Sequence, residues 1–346
     1  MSVAYARVTW NRQKRIYDTV VAGIVVACVA AFAGCGAWLD PRATAETLII
    51  RALGATAFTL LHVILAIGPL CRLDRRFLPL LYNRRHLGVI TFLVALAHGV
   101  FSAFQFHAFG DVSILVSLWS SNTRFSSLAH FPFQQLGFLA LVILFLLAAT
   151  SHDFWLKNLT PRVWKTLHCG VYGAWALCVA HVALGAFQAV DASAPWIALG
   201  VGTTMLAALH VASAVVEARH DRGTPDVHAH ERDIGAVDAL PLDRAKVVRV
   251  GAERVAVFKH ADGISALSNV CKHQNGPLGE GRVIDGCITC PWHGYQYRPH
   301  DGRSPAPFTD RVATYRVRVV AGRVLLDVRA LPEGTPVTPA RPEEPV

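Results

Sequence analysis

The sequence predicts two unlike parts, a membrane-spanning all-α bundle of six helices followed by a small all-β domain, an antiparallel β-sandwich. The 346-residue chain is 53% hydrophobic and only 16% charged, which is more apolar than a soluble globular protein. Long apolar runs continue to about residue 217, where strand-like alternation with turn residues takes over. We therefore expect a helical membrane domain at 1–217, a linker at 218–233, a β domain at 234–332 and a disordered tail at 333–346.

Six stretches are long enough to cross a bilayer, which requires about 20 apolar residues. They cover residues 18–39, 47–70, 87–107, 134–155, 163–188 and 195–217. The first stretch has features of a signal peptide or, at Phe32–Cys35, of a lipoprotein site. Its length, its uniform apolar character and the five spans that follow favour a retained helix.

Basic residues lie mainly on one side of these spans, which predicts their orientation. Fourteen of them fall on the side of the N-terminus: Arg7, Arg12, Lys14, Arg15, Arg72, Arg75, Arg76, Arg84, Arg85, Lys157, Arg162, Lys165, Arg219 and Arg222. The opposite side has three, Arg42, Arg51 and Arg124. The sequence therefore predicts a multi-pass protein of the inner membrane with both termini and the β domain in the cytoplasm. The net charge of +9 accompanies no nucleic-acid motif, so we expect a lipid bilayer and no nucleic acid as partner.

Histidines occur within the spans, where ionisable groups are costly and usually functional. They are His62, His98, His168, His181 and His210. Any one of them alone reads as a hydrogen-bonded core histidine, but five together without an intramembrane Asp or Glu favour haem ligation. His168 and His181 are 13 residues apart, about 20 Å along a helix, so they lie near opposite faces of the membrane. Either two stacked metal centres or one centre with a helper histidine requires such an arrangement.

Three spans contain short motifs around their histidines and glycines. The motifs are Arg84-Arg85-His86-Leu87-Gly88 with Ala95-Leu96-Ala97-His98, Trp164-Lys165-Thr166-Leu167-His168 with Tyr172 and His181, and Gly68-Pro69-Leu70 with Arg72. They resemble motifs of the ferric-reductase-like transmembrane family, and within it those of the haem-binding membrane subunits of periplasmic methionine sulfoxide reductase systems. The resemblance covers about residues 45–217 and implies b-type haem, one or two groups, at His98, His168 and His181. Depth pairs His98 with His181 toward the outer face. His62 and His210 are candidates for the second ligand of an inner site at His168, and His86 is a weaker one.

The β domain contains two Cys-plus-His pairs, which is what a Rieske [2Fe–2S] cluster requires. Cys271-Lys272-His273 is followed, after sixteen residues, by Cys290-Pro291-Trp292-His293-Gly294. Two thiolates hold one iron and two imidazoles hold the other. Zinc is the competitor, because Cys287 adds a third cysteine and permits Cys3His sets. The site residues are therefore Cys271, His273, Cys290 and His293 for the cluster.

With Gly276-Pro277-Leu278 added, the pattern over 234–330 resembles the Rieske family. Respiratory members of that family have a disulfide between the two loops and a Ser after the His-Gly pair. Gly276, Trp292 and Tyr295 occupy those places, so the domain resembles the ferredoxin and oxygenase type, which implies a lower potential. Only 53 residues follow His293, too few for the catalytic domain of a terminal oxygenase.

These features predict a membrane-bound conduit that passes electrons between a cytoplasmic cluster and haem, toward an acceptor on the outer face. No Gly-rich dinucleotide fingerprint is present, so a cytosolic reductase or ferredoxin, or membrane quinol, is the expected donor. One alternative is a membrane-anchored Rieske ferredoxin or redox sensor without haem. Another is an oxidoreductase that itself reduces ferric iron, oxygen or a periplasmic protein.

Overall fold

The computed structural model describes residues 12–77, 80–81, 83–151, 155, 159, 161–186, 188, 193–222, 230–251, 253–273, 275–292 and 294–341. Its contacts divide the chain into two compact units. The first unit consists of residues 1–70 and 83–212, and the second of residues 71–82 and 213–346.

The first unit is helical. Its helices are α1 (Arg12–Leu39), α2 (Ala45–Leu73), α3 (Arg84–His107), α4 (Ile114–Ser120), α5 (Phe133–Ala149), α6 (Pro161–His168), α7 (Gly170–Ala186) and α8 (Ser193–Arg222). The residues of α2 from 71 onward and those of α8 from 213 onward are counted in the second unit. Five stretches are long and apolar enough to cross a membrane, namely Arg15–Leu39, Ala45–Leu73, Arg84–His107, Val163–Ala186 and Trp196–Arg219. The stretch expected as a span at 134–155 is the shorter apolar helix α5, so the chain is a multi-pass helical membrane protein whose count of six spans stays a prediction.

Helix α2 is the central helix of this unit. In its most apolar window 44% of the residues are buried, against 6–17% in the other four long apolar helices. Leu61 and Leu65 of α2 pack with Leu144 of α5, Ala174 of α7 and Leu206 of α8. The remaining helices expose many large apolar side chains, as expected for surfaces that face lipid.

The described part of the second unit is mainly antiparallel β-structure in three sheets. The strands are β1 (Glu231–Ala236), β2 (Arg244–Val250), β3 (Glu253–His260), β4 (Gly263–Ser268), β5 (Arg282–Ile284), β6 (Cys287–Thr289), β7 (Gln296–Tyr297), β8 (Thr314–Tyr315), β9 (Val317–Val320) and β10 (Arg323–Asp327). The sheet orders are β1-β10-β9, β2-β3-β4-β8 and β5-β6-β7. All of these pairs are antiparallel, as expected for the β domain.

Strand β3 is the centre of the β domain because its two faces belong to two different cores. Val255 and Val257 pack against Ile264 and Val324 on one side. Ala256 and Phe258, on the other face, pack in the cluster of buried side chains that contains Cys271 and Cys290. Successive side chains of a strand point to opposite faces, so one strand supports both layers.

The segment expected to be a disordered tail differs from that expectation over its first part. Ala340 exchanges backbone hydrogen bonds of 2.7 and 2.8 Å with Ile264 at the start of β4. Thr335 accepts a hydrogen bond from Thr314 Oγ1, at 2.9 Å. The sequence pattern did not predict this order, because the segment is held by hydrogen bonds to its backbone groups and not by apolar side chains. Residues 342–346, and linker residues 223–229, lie outside the described residues.

Truncation of Phe258 tests the role of β3. The Phe258 side chain is fully buried, so we expect Phe258→Ala to destabilise the domain by about 3–5 kcal/mol. The measurement is thermal bleaching of the iron–sulfur absorbance in the full-length protein. Leu242→Ala is the control because Leu242 is 63% exposed and its truncation is expected to change stability by less than about 0.5 kcal/mol. Equal bleaching temperatures for the two variants would contradict the role of β3 as the centre of the β domain.

Candidate metal centres

The two loops expected to hold the cluster have the same backbone construction. The N–H of Cys271 donates to the carbonyl of Gly276 at 2.9 Å, and that of Asn275 donates to the carbonyl of Cys271 at 2.7 Å. In the second loop, Cys290 donates to the carbonyl of Tyr295 at 2.8 Å and Gly294 donates to that of Cys290 at 3.0 Å. Asn275 and Gly294, the fourth residue after each cysteine, both have positive φ, of 58° and 70°. Each loop therefore folds around its own cysteine.

Both cysteines are buried where the loops meet, each with 1% exposure. Gly276 makes the close approach possible, because a Cβ there would lie 2.6 Å from Cys290 Sγ and 3.3 Å from the indole of Trp292. Gly276 and Trp292 occupy the two positions at which respiratory Rieske proteins have the cysteines of a disulfide between the loops. Here a glycine and an indole pack together instead.

His273 follows Cys271 and lies against an aromatic ring. Its imidazole stacks on Tyr295, with ring centroids 4.9 Å apart and an interplanar angle of 4°. The Tyr295 hydroxyl donates to Asp310, and Phe308 packs on the Tyr295 ring at 4.9 Å. These contacts fix the plane of the His273 ring. His293, the fourth expected ligand, lies outside the described residues.

Tyr297 is a contact of the cysteine site that the motif did not reveal. Its hydroxyl accepts the backbone N–H of Lys272 at 2.9 Å and lies 3.5 Å from Cys271 Sγ. Burial, and then the charge of the Cys271 thiolate, raises the pKa of Tyr297, so the hydroxyl keeps its proton. Because the hydroxyl oxygen already accepts from Lys272, the hydroxyl proton is the group that faces Cys271 Sγ as a hydrogen-bond donor. The signal for it in the sequence is a tyrosine in β7, seven residues after Cys290.

Cys287, the third cysteine that made zinc an alternative to the cluster, lies in strand β6. Burial raises the pKa of its thiol above the ordinary value.

His98 and His181 come together between α3 and α7. Their ring centroids are 6.2 Å apart at an interplanar angle of 80°. His98 Nδ1 donates to the carbonyl of Ile50, and His181 Nδ1 donates to that of Phe133, both at 2.9 Å. A carbonyl only accepts, so Nδ1 carries the proton and Nε2 is the nitrogen with a free lone pair in a neutral imidazole. Among the described residues neither Nε2 atom makes a hydrogen bond.

The two imidazoles, 6.2 Å apart by ring centroid, are residues that could hold one metal group through their Nε2 atoms. The orientation of each ring by a carbonyl acceptor is also the usual support of a metal-bound histidine.

The other membrane histidines make different contacts. Each donates Nδ1 to the carbonyl four residues earlier in its own helix, namely His62 to Phe58, His168 to Trp164 and His210 to Leu206. Their Nε2 atoms also have partners: Trp175 Nε1 at 3.2 Å from His62, Ser151 Oγ at 3.3 Å from His168, and Tyr172 Oη at 3.2 Å from His210. His86 bonds Asp18 through Nδ1 at 2.9 Å. His62 and His210 therefore join helices through hydrogen bonds.

Two families match the chain. Residues 230–316 match the Rieske [2Fe-2S] domain, and residues 51–179 match the ferric reductase like transmembrane component. These matches bear out both resemblances drawn from the motifs, and the Rieske match supports a [2Fe–2S] cluster over zinc.

Individual relatives match each part separately. The anthranilate 1,2-dioxygenase ferredoxin subunit of Burkholderia cepacia is 34% identical over 96 residues, which is 28% of this chain and 89% of that protein. The protein-methionine-sulfoxide reductase heme-binding subunit MsrQ of Caulobacter vibrioides is 32% identical over 180 residues, which is 49% of this chain and 78% of that protein. A solved complex of reduced oxygenase and oxidized ferredoxin in carbazole 1,9a-dioxygenase contains a chain 26% identical to this one. The match covers 30% of this chain and 96% of that one, with a TM-score of 0.28.

Removal of the Tyr297 hydroxyl tests its contact with Cys271. Hydrogen bonds to cluster sulfurs stabilise the reduced, more negative state and raise the potential. We expect Tyr297→Phe to lower the midpoint potential by roughly 40–90 mV, the one-electron equivalent of about 1–2 kcal/mol for a hydrogen bond to a charged group. Redox titration followed by EPR gives the measurement.

Tyr315→Phe is the matched control for this change. The Tyr315 hydroxyl donates to Glu253 at 2.8 Å rather than to a cluster ligand. An equal shift of potential in both variants would show that the Tyr297 hydroxyl acts through general polarity and not through sulfur.

Proposed function

Since the chain belongs to the ferric-reductase-like transmembrane family in its helical part and to the Rieske family in its β domain, we propose that it passes electrons across the membrane. The path runs between a Rieske [2Fe–2S] cluster in the cytoplasm and b-type haem in the bundle, toward an acceptor on the outer face. The observation that carries the proposal is the His98–His181 pair, whose rings lie 6.2 Å apart on a chain that also has the two cysteine loops.

The residues divide between two centres. Cys271 and Cys290 hold one iron of the cluster, and His273 and His293 hold the other. His98 and His181 hold haem through Nε2. When bound, both groups supply one-electron chemistry, while the protein orients the ligands and excludes water from the bundle.

The proposal includes one haem at His98 and His181, with His168 as the candidate ligand of a second. The Nε2 atom of His168 lies 3.3 Å from the hydroxyl of Ser151, a long hydrogen bond that a metal can replace. His62 and His210 are the further candidates for this second site, and their Nε2 atoms bond Trp175 and Tyr172 at 3.2 Å. In the proposed direction the electrons come from a cytosolic reductase or ferredoxin, or from membrane quinol.

Spectroscopy of purified full-length protein tests the two centres. We expect a low-spin b-type haem spectrum together with a Rieske-type EPR signal after reduction. His98→Ala and His181→Ala are each expected to abolish the low-spin haem signal and leave the cluster signal unchanged. Cys290→Ser is expected to do the reverse.

Two results would contradict the proposal. Protein with an intact cluster and no haem would be the membrane-anchored ferredoxin or redox sensor instead. Purified protein that contains zinc in place of iron and lacks the Rieske-type EPR signal would contradict the proposed cluster. His107→Ala is the matched variant for the pair, because it deletes a buried imidazole of α3 that bonds Ser117 and Gln134 and is no proposed ligand, so it is expected to keep the low-spin haem signal.

Reporter fusions test the proposed orientation. A green fluorescent protein fused after residue 341 is expected to be fluorescent, because the basic loops hold that end in the cytoplasm. Alkaline phosphatase inserted after Ser121, in the segment between α4 and α5, is expected to be active because that side faces outward. No fluorescence from the fusion after residue 341, together with inactive phosphatase at Ser121, would contradict the proposed orientation.

A further inference from the structure

Two contacts in the helical unit repeat at the same sequence interval. The carbonyl acceptors of His98 and His181 belong to Ile50 in α2 and Phe133 in α5, each 48 residues before its histidine. Both hydrogen bonds run from one helix to the backbone of another, and both measure 2.9 Å. The side chains at the two acceptor positions differ, so the shared feature is the carbonyl.

A glycine follows each acceptor by four residues, Gly54 after Ile50 and Gly137 after Phe133. Residues i and i+4 lie on one face of a helix, so each glycine stands one turn above its carbonyl. A Cβ at Gly54 would lie 3.0 Å from both Nδ1 and Cε1 of His98. A Cβ at Gly137 would lie 2.8 Å from Nδ1 and 2.9 Å from Cε1 of His181.

Glycines in membrane helices commonly let neighbouring helices approach, and other glycines of this chain illustrate that role. A Cβ at Gly36 would meet the end of the Leu48 side chain at 2.8 Å. At Gly54 and Gly137, however, the two nearest atoms are the imidazole nitrogen that donates to the helix carbonyl and the ring carbon Cε1 beside it. An added methyl group there collides with the donor itself, so it displaces the ring from the carbonyl.

We propose that Gly54 and Gly137 are positioning residues for the haem ligands. Each leaves a cradle in which an imidazole lies against the helix and bonds the carbonyl one turn earlier through Nδ1, which leaves Nε2 for the metal. This inference rests on the proposed haem at His98 and His181. The two cradles, built from α2 with α3 and from α5 with α7, hold the two sides of one site.

The test compares four single variants of full-length protein by optical and EPR spectroscopy and by haem content. Gly54→Ala and Gly137→Ala are expected to convert the haem from low spin to high spin and to weaken its retention by about 10–100-fold, as for loss of a supporting contact. Gly36→Ala crowds a leucine instead of a histidine, and Gly88→Ala adds a methyl group where nothing lies within 4 Å. Both controls are expected to keep low-spin haem, and all four variants to keep the Rieske signal.

Each other outcome is decisive. If Gly54→Ala and Gly137→Ala keep the spectrum and haem content of the controls, the inference is wrong while the proposed function stands. If Gly36→Ala also loses low-spin haem, crowding of the bundle rather than the histidine cradle is responsible, and the inference is again wrong. If the unmodified protein contains no haem, the proposed function fails and the inference fails with it.

Discussion

The helical unit depends on hydrogen bonds made by imidazoles in an apolar environment. A membrane interior offers no water to an N–H group, so a histidine there needs a protein acceptor. The five membrane histidines solve this in two ways. His62, His168 and His210 bond their own helix, whereas His98 and His181 bond the backbone of a neighbouring helix. In the second solution, the single Nδ1 bond both joins one helix to another and orients the ring.

That difference separates histidines that sequence alone treats as equal. An own-helix bond to the carbonyl four residues earlier is available to a histidine in almost any helix, so it marks no site. A bond to another helix requires a backbone carbonyl that already accepts an N–H group of its own helix and that the imidazole N–H can also reach. Absence of a Cβ one turn later opens that carbonyl. The contacts of His98 and His181 are therefore the unusual ones, and they occur where the two rings meet.

Motifs and depth predicted much of this arrangement, including the pairing of His98 with His181. Apolar run length predicted the helices, and alternation with turn residues predicted the strands. The roles of Gly54 and Gly137 were not predictable, because glycine is common in membrane helices and its effect depends on what lies opposite. Tyr297 was missed for a related reason, since its hydroxyl reaches Cys271 from a different loop. Short sequence motifs predict which residues are ligands, whereas these contacts depend on how segments distant in the sequence pack together.

The cysteine loops use the same physical device as the histidine cradles. In each loop, backbone groups around the cysteine close the turn, and a missing side chain at Gly276 admits Cys290 Sγ. Positions lacking a Cβ thus bring backbone and ligand together at both centres, within units whose sequences and secondary structures have nothing else in common. Ligand residues determine which metal group is bound, but glycines and carbonyls determine whether the ligands converge. Substitutions that leave every ligand in place are therefore able to remove a centre.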